Sequence, residues 1–231
     1  MDSSLKKFYN MSVVLLGNFS PMMFQPYWLL KNGIIDQQEF DSIDKSSDKF
    51  LITNALTVFE TNNFTVRIEQ KRFMVMAKKE PFVLLVDFID KLYEAISGIQ
   101  IEKFGVNFSF HISLQTKENM KRFGDAILPK EPFGNFFDYS NDTEDKKSGL
   151  LSMTLKRYQQ HGYTNLKIET SLMSPNSIFF DFNNHFEKEN KELEPYMFIE
   201  VVDLLKENYE NLKNKADEIV DELLENTLND R

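Results

Sequence analysis

Two series of strand patterns, each followed by a helical pattern, constrain the fold of this chain more than any other feature. In each series, three strand-like segments are separated by turn-forming residues. The predicted strands are 53–60, 64–69 and 73–77 in the first series, and 150–158, 164–170 and 178–187 in the second. Strands grouped in meanders with helices after them are typical of α+β proteins. We therefore predict an α+β fold with antiparallel sheets built from two strand-meander-plus-helix units and a long C-terminal amphipathic helix.

The length of the chain fits a single domain. A chain of 231 residues can bury about 70% of the surface that its unfolded form exposes, so folding requires no disulfide or metal. We predict one α+β domain over residues 1–231. Because the two strand series follow the same order, a pseudo-repeat of residues 1–115 and 116–231 is a hypothesis about topology, without residue-level identity between the copies.

Further elements are indicated by local patterns. The apolar run at residues 13–16 ends in Gly17-Asn18 and predicts a buried central strand. Residues 106–114 alternate between apolar and polar side chains, which predicts a strand with one buried face. Apolar residues at spacings of three and four predict a helix over residues 81–97, and Thr116 begins a second, shorter helix.

The segment from Pro195 to Leu228 is predicted to form one long helix with a heptad stripe. The stripe contains Phe198, Val202, Leu205, Tyr209, Leu212, Ala216, Ile219 and Leu223. Its apolar face is wide before Tyr209, as in helices that lie on a sheet, and narrow beyond it, which suits a helical partner. We predict that a protein partner or a second copy binds the seam residues Tyr209, Leu212, Ala216, Ile219 and Leu223. The alternative is that the whole helix folds back over its own sheet.

Charge and composition exclude several classes of protein. The chain has 36 acidic and 27 basic residues, and this net charge of −9 disfavours binding to nucleic-acid phosphates. It has no cysteine, so disulfides, thiol nucleophiles and thiolate metal sites are excluded. No apolar run approaches the length of a membrane span, and the N-terminus lacks the pattern of a secretory signal. We expect a cytoplasmic protein without membrane contact.

Two strands carry polar rows that could form a site. Within 178–187, phenylalanines alternate with Asp181, Asn183, His185 and Glu187. Carboxylate, amide and imidazole groups are suitable ligands for a divalent metal, and His111 on the other strand is a candidate general base. The weak catalytic candidates are therefore His111, Asp181, His185 and Glu187. The structural alternative is that each row simply faces solvent, and no metal ligand set is assigned.

Motifs for common enzyme classes are absent from the sequence. It contains no G-x-S-x-G nucleophile motif, no H-E-x-x-H zinc motif and no phosphate-binding glycine loop, and only eight glycines in total. We predict no cofactor, and the sequence favours a protein that is not an enzyme.

Four short stretches carry a resemblance to a known family. They are FGVNFSFH at 104–111, FGD at 123–125, LPK at 128–130 and FFDFNNHFE at 179–187. Together they resemble a sporadically distributed family of uncharacterised bacterial proteins of similar length. The resemblance implies a bacterial origin, and a sporadic distribution implies mobile or defence-associated gene clusters. It supplies no catalytic residue, because these are strand and turn patterns.

Two functional hypotheses follow. The first is a non-enzymatic accessory or scaffold protein of a bacterial multi-protein system, such as antiphage defence, that acts by protein–protein interaction through the C-terminal helix. The second is a metal-dependent hydrolase or nuclease subunit that uses the polar strand faces around His111 and His185. The second hypothesis requires these faces to converge within a few ångströms.

Overall fold

The centre of the molecule is a pair of long antiparallel strands, β1 (Lys6–Gly17) and β6 (Gln100–Ser113). The structure is a computed structural model that describes residues 6–137, 149–188 and 195–228. Both strands are longer than their predicted cores, because their outer portions mix polar and apolar residues and give no clear periodic pattern. The pair joins the two halves of the chain in one sheet.

The other strands flank this central pair as two meanders. They are β2 (Leu51–Ile52), β3 (Leu56–Glu60), β4 (Phe64–Glu69), β5 (Arg72–Ala77), β7 (Ser152–Gln159), β8 (Gly162–Thr170), β9 (Ser177–Phe186) and β10 (Tyr196–Met197). The order in the sheet is β2-β3-β4-β5-β1-β6-β9-β8-β7, and β10 also pairs with β6. All described strand pairs are antiparallel, which confirms the predicted fold class. The two halves share a strand meander followed by a helix, but a shared topology does not show duplication, so the pseudo-repeat stays a prediction.

Five α-helices accompany the sheet in the described part of the chain. They are α1 (Pro26–Lys31), α2 (Gln37–Asp41), α3 (Val83–Ile96), α4 (Lys117–Ile127) and α5 (Phe198–Leu228). Short 3-10 turns occupy Pro21–Phe24 and Glu131–Phe137. The side chain of Thr116 caps α4 by accepting a hydrogen bond from the Asn119 backbone N–H at 3.1 Å. This contact explains why the predicted helix begins where it does.

The core lies between the helices and one face of the sheet. Phe73 of β5 packs on Phe88 of α3 and on Phe24, and Phe180 of β9 packs on Phe123 of α4. These rings are almost completely buried. Because each fully buried phenylalanine stabilises the fold by about 1.5–3 kcal/mol, they hold the helices against this face. The abundance of phenylalanine in the sequence is therefore largely explained by core packing.

Helix α5 packs against the core of its own chain along both of its halves. Leu212 and Ala216 are buried, and beyond them Val220 and Leu224 are buried as well. The narrow apolar seam predicts that the half beyond Tyr209 is free for a partner, whereas its burial agrees with the alternative that the whole helix folds back over its own chain. The seam residues Tyr209, Ile219 and Leu223 are half-buried and also pack against the core of the chain.

The buried stripe of α5 differs from the predicted heptad stripe for a geometric reason. A single helix that packs on its own chain keeps the natural period of 3.6 residues, so its buried positions move from Ile219 to Val220 and from Leu223 to Leu224. A strict period of 3.5 residues is expected only where two helices coil around each other.

Candidate functional site

The aromatic contacts that α3, with its N-cap residue, and α4 make with strands all lie on the core face of the sheet. Among the described residues, no such contact lies on the opposite face. We call it the uncovered face. Its side chains follow from strand alternation and from the register between neighbouring strands. One row across the sheet consists of Val58, Arg67, Met74, Val14, Gly105, His185, Tyr163 and Tyr158. The next row consists of Glu60, Thr65, Met76, Ser12, Asn107, Asn183, Asn165 and Lys156.

The two halves of the uncovered face differ in polarity. Where β5 meets β1, four half-buried apolar residues adjoin, namely Met74, Met76, Val14 and Leu16. We call these residues the apolar patch. On β6, β9 and β8 the same face carries mainly amides, hydroxyls, charged groups and imidazoles. The uncovered face therefore changes from apolar to polar across the central strands.

A depression lies at this boundary, and we call it the central depression. Its volume is about 220 Å³, and it is lined by Val14, Leu16, Arg72, Phe104, Gly105, Asn107, Asn183 and His185. Gly105 contributes no side chain to its row, so space remains between the side chains of β1 and β9. An added Cβ at Gly105 would lie 3.4 Å from Asn107 Oδ1 and 3.7 Å from Asn183 Oδ1. These amide oxygens thus border the space above the glycine.

Unpaired polar atoms are concentrated at the central depression. Among the described residues, three buried side-chain polar atoms lack a hydrogen-bond partner: Tyr9 Oη, Asn107 Oδ1 and His185 Nε2. Two of the three belong to residues that line the depression. Buried polar atoms in folded proteins almost always have a partner, so this pair of exceptions needs an explanation. The amide nitrogen of Asn107 is already used, because it donates to Ser12 Oγ at 3.3 Å.

His185 is held between a charged pair and an aromatic ring. Its Nε2 lies 3.5 Å from Glu187 Oε2 without hydrogen-bond geometry, and Lys103 Nζ lies 2.9 Å from the same carboxylate oxygen. Its ring stacks on Tyr163 at 4.7 Å between ring centroids. Burial lowers the pKa of His185, against the opposing effect of the Glu187 carboxylate. The hydrogen bond from Lys103 lowers the pKa of Glu187. Burial therefore favours the uncharged form of the imidazole.

His111 and Asp181 have local partners of their own. His111 Nδ1 lies 2.8 Å from Ser171 Oγ, and its ring packs on Phe179. Ser109 Oγ donates to Asp181 Oδ1 at 3.0 Å. Burial lowers the pKa of His111 and raises the pKa of Asp181.

The register of β6 and β9 separates the two histidines. Strands β6 and β9 are neighbours, and their polar rows share the uncovered face, as the hydrolase hypothesis requires. However, His111 lies opposite Phe179, whereas His185 lies opposite Gly105, six residues further along β6. Six residues of an antiparallel strand span about 20 Å, which is far beyond the reach of a shared proton or metal ion. Of the four candidates, only His185 and Glu187 come together.

The described residues also contain no group of three or more histidine, aspartate or glutamate side chains placed to hold a metal ion. The charge of the Glu187 carboxylate is balanced by Lys103, whose Nζ lies 2.9 Å from Oε2. The observed arrangement is a set of local hydrogen bonds and ion pairs on a sheet surface.

Most residues around the central depression give no signal in the sequence. Arg72 follows a turn and carries no motif, and Asn107 is one polar residue among several in an alternating strand. The available signal is Gly105, because a lone glycine within a strand pattern often marks a bulge or a close approach of backbone or ligand. Which residues meet above this glycine depends on the strand order, and local patterns do not specify that order.

Comparison of the chain with protein-family models and with curated proteins yields no match. In the described ranges, no helix is both long enough and apolar enough to cross a membrane. The resemblance to a bacterial family stays a prediction.

Proposed function

We propose that this chain is a non-enzymatic accessory protein that binds a protein partner through the apolar patch on the uncovered face of its sheet. The observation that carries the proposal is the adjacency of Met74, Met76, Val14 and Leu16 on a face without a covering helix among the described residues. Contiguous apolar groups on a protein surface are commonly sites of protein–protein contact. We place the partner contact on this patch and not on the C-terminal helix, because Leu212 and Ala216 of that helix are already buried inside the fold.

Methionine and charge distribution favour a protein as the partner. Methionine side chains are flexible and polarisable, so Met74 and Met76 can adapt to the shape of a protein surface. Two basic groups near the patch form ion pairs, Arg67 with Glu69 at 2.7 Å and Lys78 with Glu60 at 2.9 Å, while Arg72 donates to Met74 Sδ within the patch. A nucleic-acid surface would instead present uncompensated cations.

The resemblance to bacterial proteins supports a place in a multi-protein system, such as antiphage defence. Under this proposal the gene of the partner lies near the gene of this chain. The contact surface of the partner is apolar with a polar margin. Self-association through the same patch is an alternative outcome of the experiment below.

The proposal is tested with one matched pair of substitutions. Met74→Glu places a charge in the apolar patch, whereas Met173→Glu makes the same change at an exposed methionine in the loop after β8. Each variant is co-expressed with the products of neighbouring genes, and complexes are measured by size-exclusion chromatography with light scattering. We expect a partner that binds the wild type and Met173→Glu and is lost from Met74→Glu.

Circular dichroism must show that both variants remain folded. A complex that Met74→Glu leaves intact would contradict the location of the contact. If the chain stays monomeric when it is co-expressed with each product of the neighbouring genes, the proposed function itself is contradicted. A homodimer that Met74→Glu dissociates would identify a second copy as the partner.

A further inference from the structure

We propose that the outer edge of strand β7 (Ser152–Gln159) binds an extended acidic segment of a partner protein, which adds to the sheet as a further antiparallel strand. This contact goes beyond the proposed function, because it lies far from the apolar patch. Strands β6, β9 and β8 lie between β1 and β7. At about 4.8 Å between neighbouring strands, β1 and β7 are about 19 Å apart. The two contacts are therefore tested independently.

Strand β7 forms a long open edge of the sheet. It stands last in the strand order, and among the described residues it pairs only with β8. It has 8 residues, whereas β2 at the opposite edge has 2. Proteins commonly keep edge strands short, because a long edge presents a row of unpaired backbone groups to other chains. Of the two edges, only β7 is thus long enough to receive another strand.

The register of β7 and β8 shows which backbone groups point outward. The Thr170 backbone N–H donates to the Leu151 carbonyl oxygen at 3.3 Å, and this pair continues the ladder between the two strands. In an antiparallel ladder, residues that bond to the neighbouring strand alternate with residues that do not. The backbone groups that point away from β8 therefore belong to Ser152, Thr154, Lys156 and Tyr158. A partner strand can form backbone hydrogen bonds with these four residues.

The charges of β7 favour an acidic segment. The strand contains Lys156 and Arg157 and no acidic residue. Both side chains are exposed, and neither forms an ion pair with an acidic group among the described residues. Lys156 Nζ lies instead over the ring of Tyr163, at 3.7 Å from its centroid. By contrast, Lys167 on β8 is paired with Glu169 at 2.7 Å. The edge therefore offers two available cations, one on each face of the sheet.

The same charges disfavour a second copy of this chain as the occupant. Two β7 strands would bring four cations onto one pair of strands, and like charges across a strand pair oppose pairing. An acidic strand gains opposite-charge pairs at Lys156 and Arg157 instead. Leu155, on the same face as Arg157, is 51% exposed and provides an apolar contact. In antiparallel order, the segment that fits thus carries two acidic residues followed by a β-branched residue.

The proposal is tested by calorimetric titration of the full chain with a synthetic peptide, Thr-Tyr-Glu-Glu-Val-Thr-Val-Thr, with both ends blocked. In antiparallel pairing its two glutamates lie opposite Arg157 and Lys156. We expect a dissociation constant of about 1 mM or tighter at low salt, and weaker binding at high salt, which screens exposed charges. A matched peptide with two glutamines in place of the glutamates should bind about fivefold more weakly, because both opposite-charge pairs are lost.

Substitutions connect the binding to the edge of β7. Thr154→Pro should abolish binding, because proline removes an outward N–H group while the hydrogen bonds to β8 remain. Lys156→Glu should weaken binding by about tenfold or more, because it replaces an attraction with a repulsion. Lys31→Glu is the matched control, since Lys31 is exposed on α1. Met74→Glu should retain peptide binding, which separates this proposal from the partner contact on the apolar patch.

Four results would overturn the proposal. The first is no binding of the glutamate peptide up to about 5 mM, well above the expected constant. The second is equal binding of the two peptides. The third is binding that a folded Thr154→Pro variant retains, which would reduce the contact to charge alone. The fourth is a homodimer that Thr154→Pro dissociates, which would make a second copy the occupant of the edge. If Thr154→Pro does not fold, Lys156→Glu and the two peptides decide: unchanged binding to Lys156→Glu contradicts the proposal.

Discussion

Asp181 is a carboxylate on the uncovered face whose ionisation opposes folding. Burial raises its pKa, and the hydrogen bond from Ser109 offsets only part of this effect. A carboxyl group with a raised pKa in the folded state stabilises the fold at low pH. This contribution is fully present below the pKa of the unfolded chain, 3.8, and is lost as the pH rises through the folded-state pKa.

The variant Asp181→Asn should therefore be more stable than the wild type at pH 7. Asparagine still accepts the hydrogen bond from Ser109, and it carries no charge at any pH. Its advantage should shrink as the pH falls and disappear near pH 3, where the wild-type carboxyl group is neutral in both the folded and the unfolded chain. Urea unfolding at a series of pH values measures this difference. A wild type that is more stable than Asp181→Asn at pH 7 would show that the ionised carboxylate is favourably paired.

Helix α5 shows at the scale of one element how a sequence pattern and a structure diverge. The heptad stripe points to Leu223, whereas the structure buries the adjacent Leu224, with 1% of its surface exposed. Leu224→Ala should reduce the free energy of unfolding by about 2–5 kcal/mol, because it leaves a cavity in the core. Leu223→Ala is the control and should cost less, because Leu223 is only half-buried. Urea unfolding of the monomer measures both.

The opposite ranking of these two variants would indicate that the end of α5 buries Leu223 of the heptad stripe in the core in place of Leu224. Equal and small effects would indicate that the last turns of the helix are detached from the sheet. The second result would return the partner contact to Tyr209, Leu212, Ala216, Ile219 and Leu223.

Strong periodic patterns predict the elements, but they do not predict how the elements meet. The meander strands and the helices α3, α4 and α5 are predictable because their apolar residues recur at spacings of two or of three and four. Strand β2 has only two residues and gives no such pattern. The distance between His111 and His185 depends on the register of β6 and β9, which is fixed by long-range pairing. The central depression is hidden from the sequence for the same reason.

At the scale of the whole molecule, the pairing of β1 with β6 joins two halves that could otherwise be separate domains. Met11, Val13 and Leu15 of β1 contact the core on the same face as Phe104 and Val106 of β6. The buried apolar residues form one core cluster, whose members run along the described chain from Met11 to Leu224. A break between the halves would therefore expose apolar surface on both central strands, which opposes independent unfolding.

We predict that the two halves unfold together in urea. Trp28 is the only tryptophan, and it packs on Phe24 in the first half at 5.3 Å between ring centroids, so its fluorescence reports on that half. Circular dichroism at 222 nm is a global helical signal, to which α5, the longest described helix, contributes strongly. Because one sheet and one core link these elements, both signals should give the same midpoint and the same slope. If the Trp28 fluorescence and the circular dichroism signal changed at different urea concentrations, the halves would be distinct folding units despite their shared sheet.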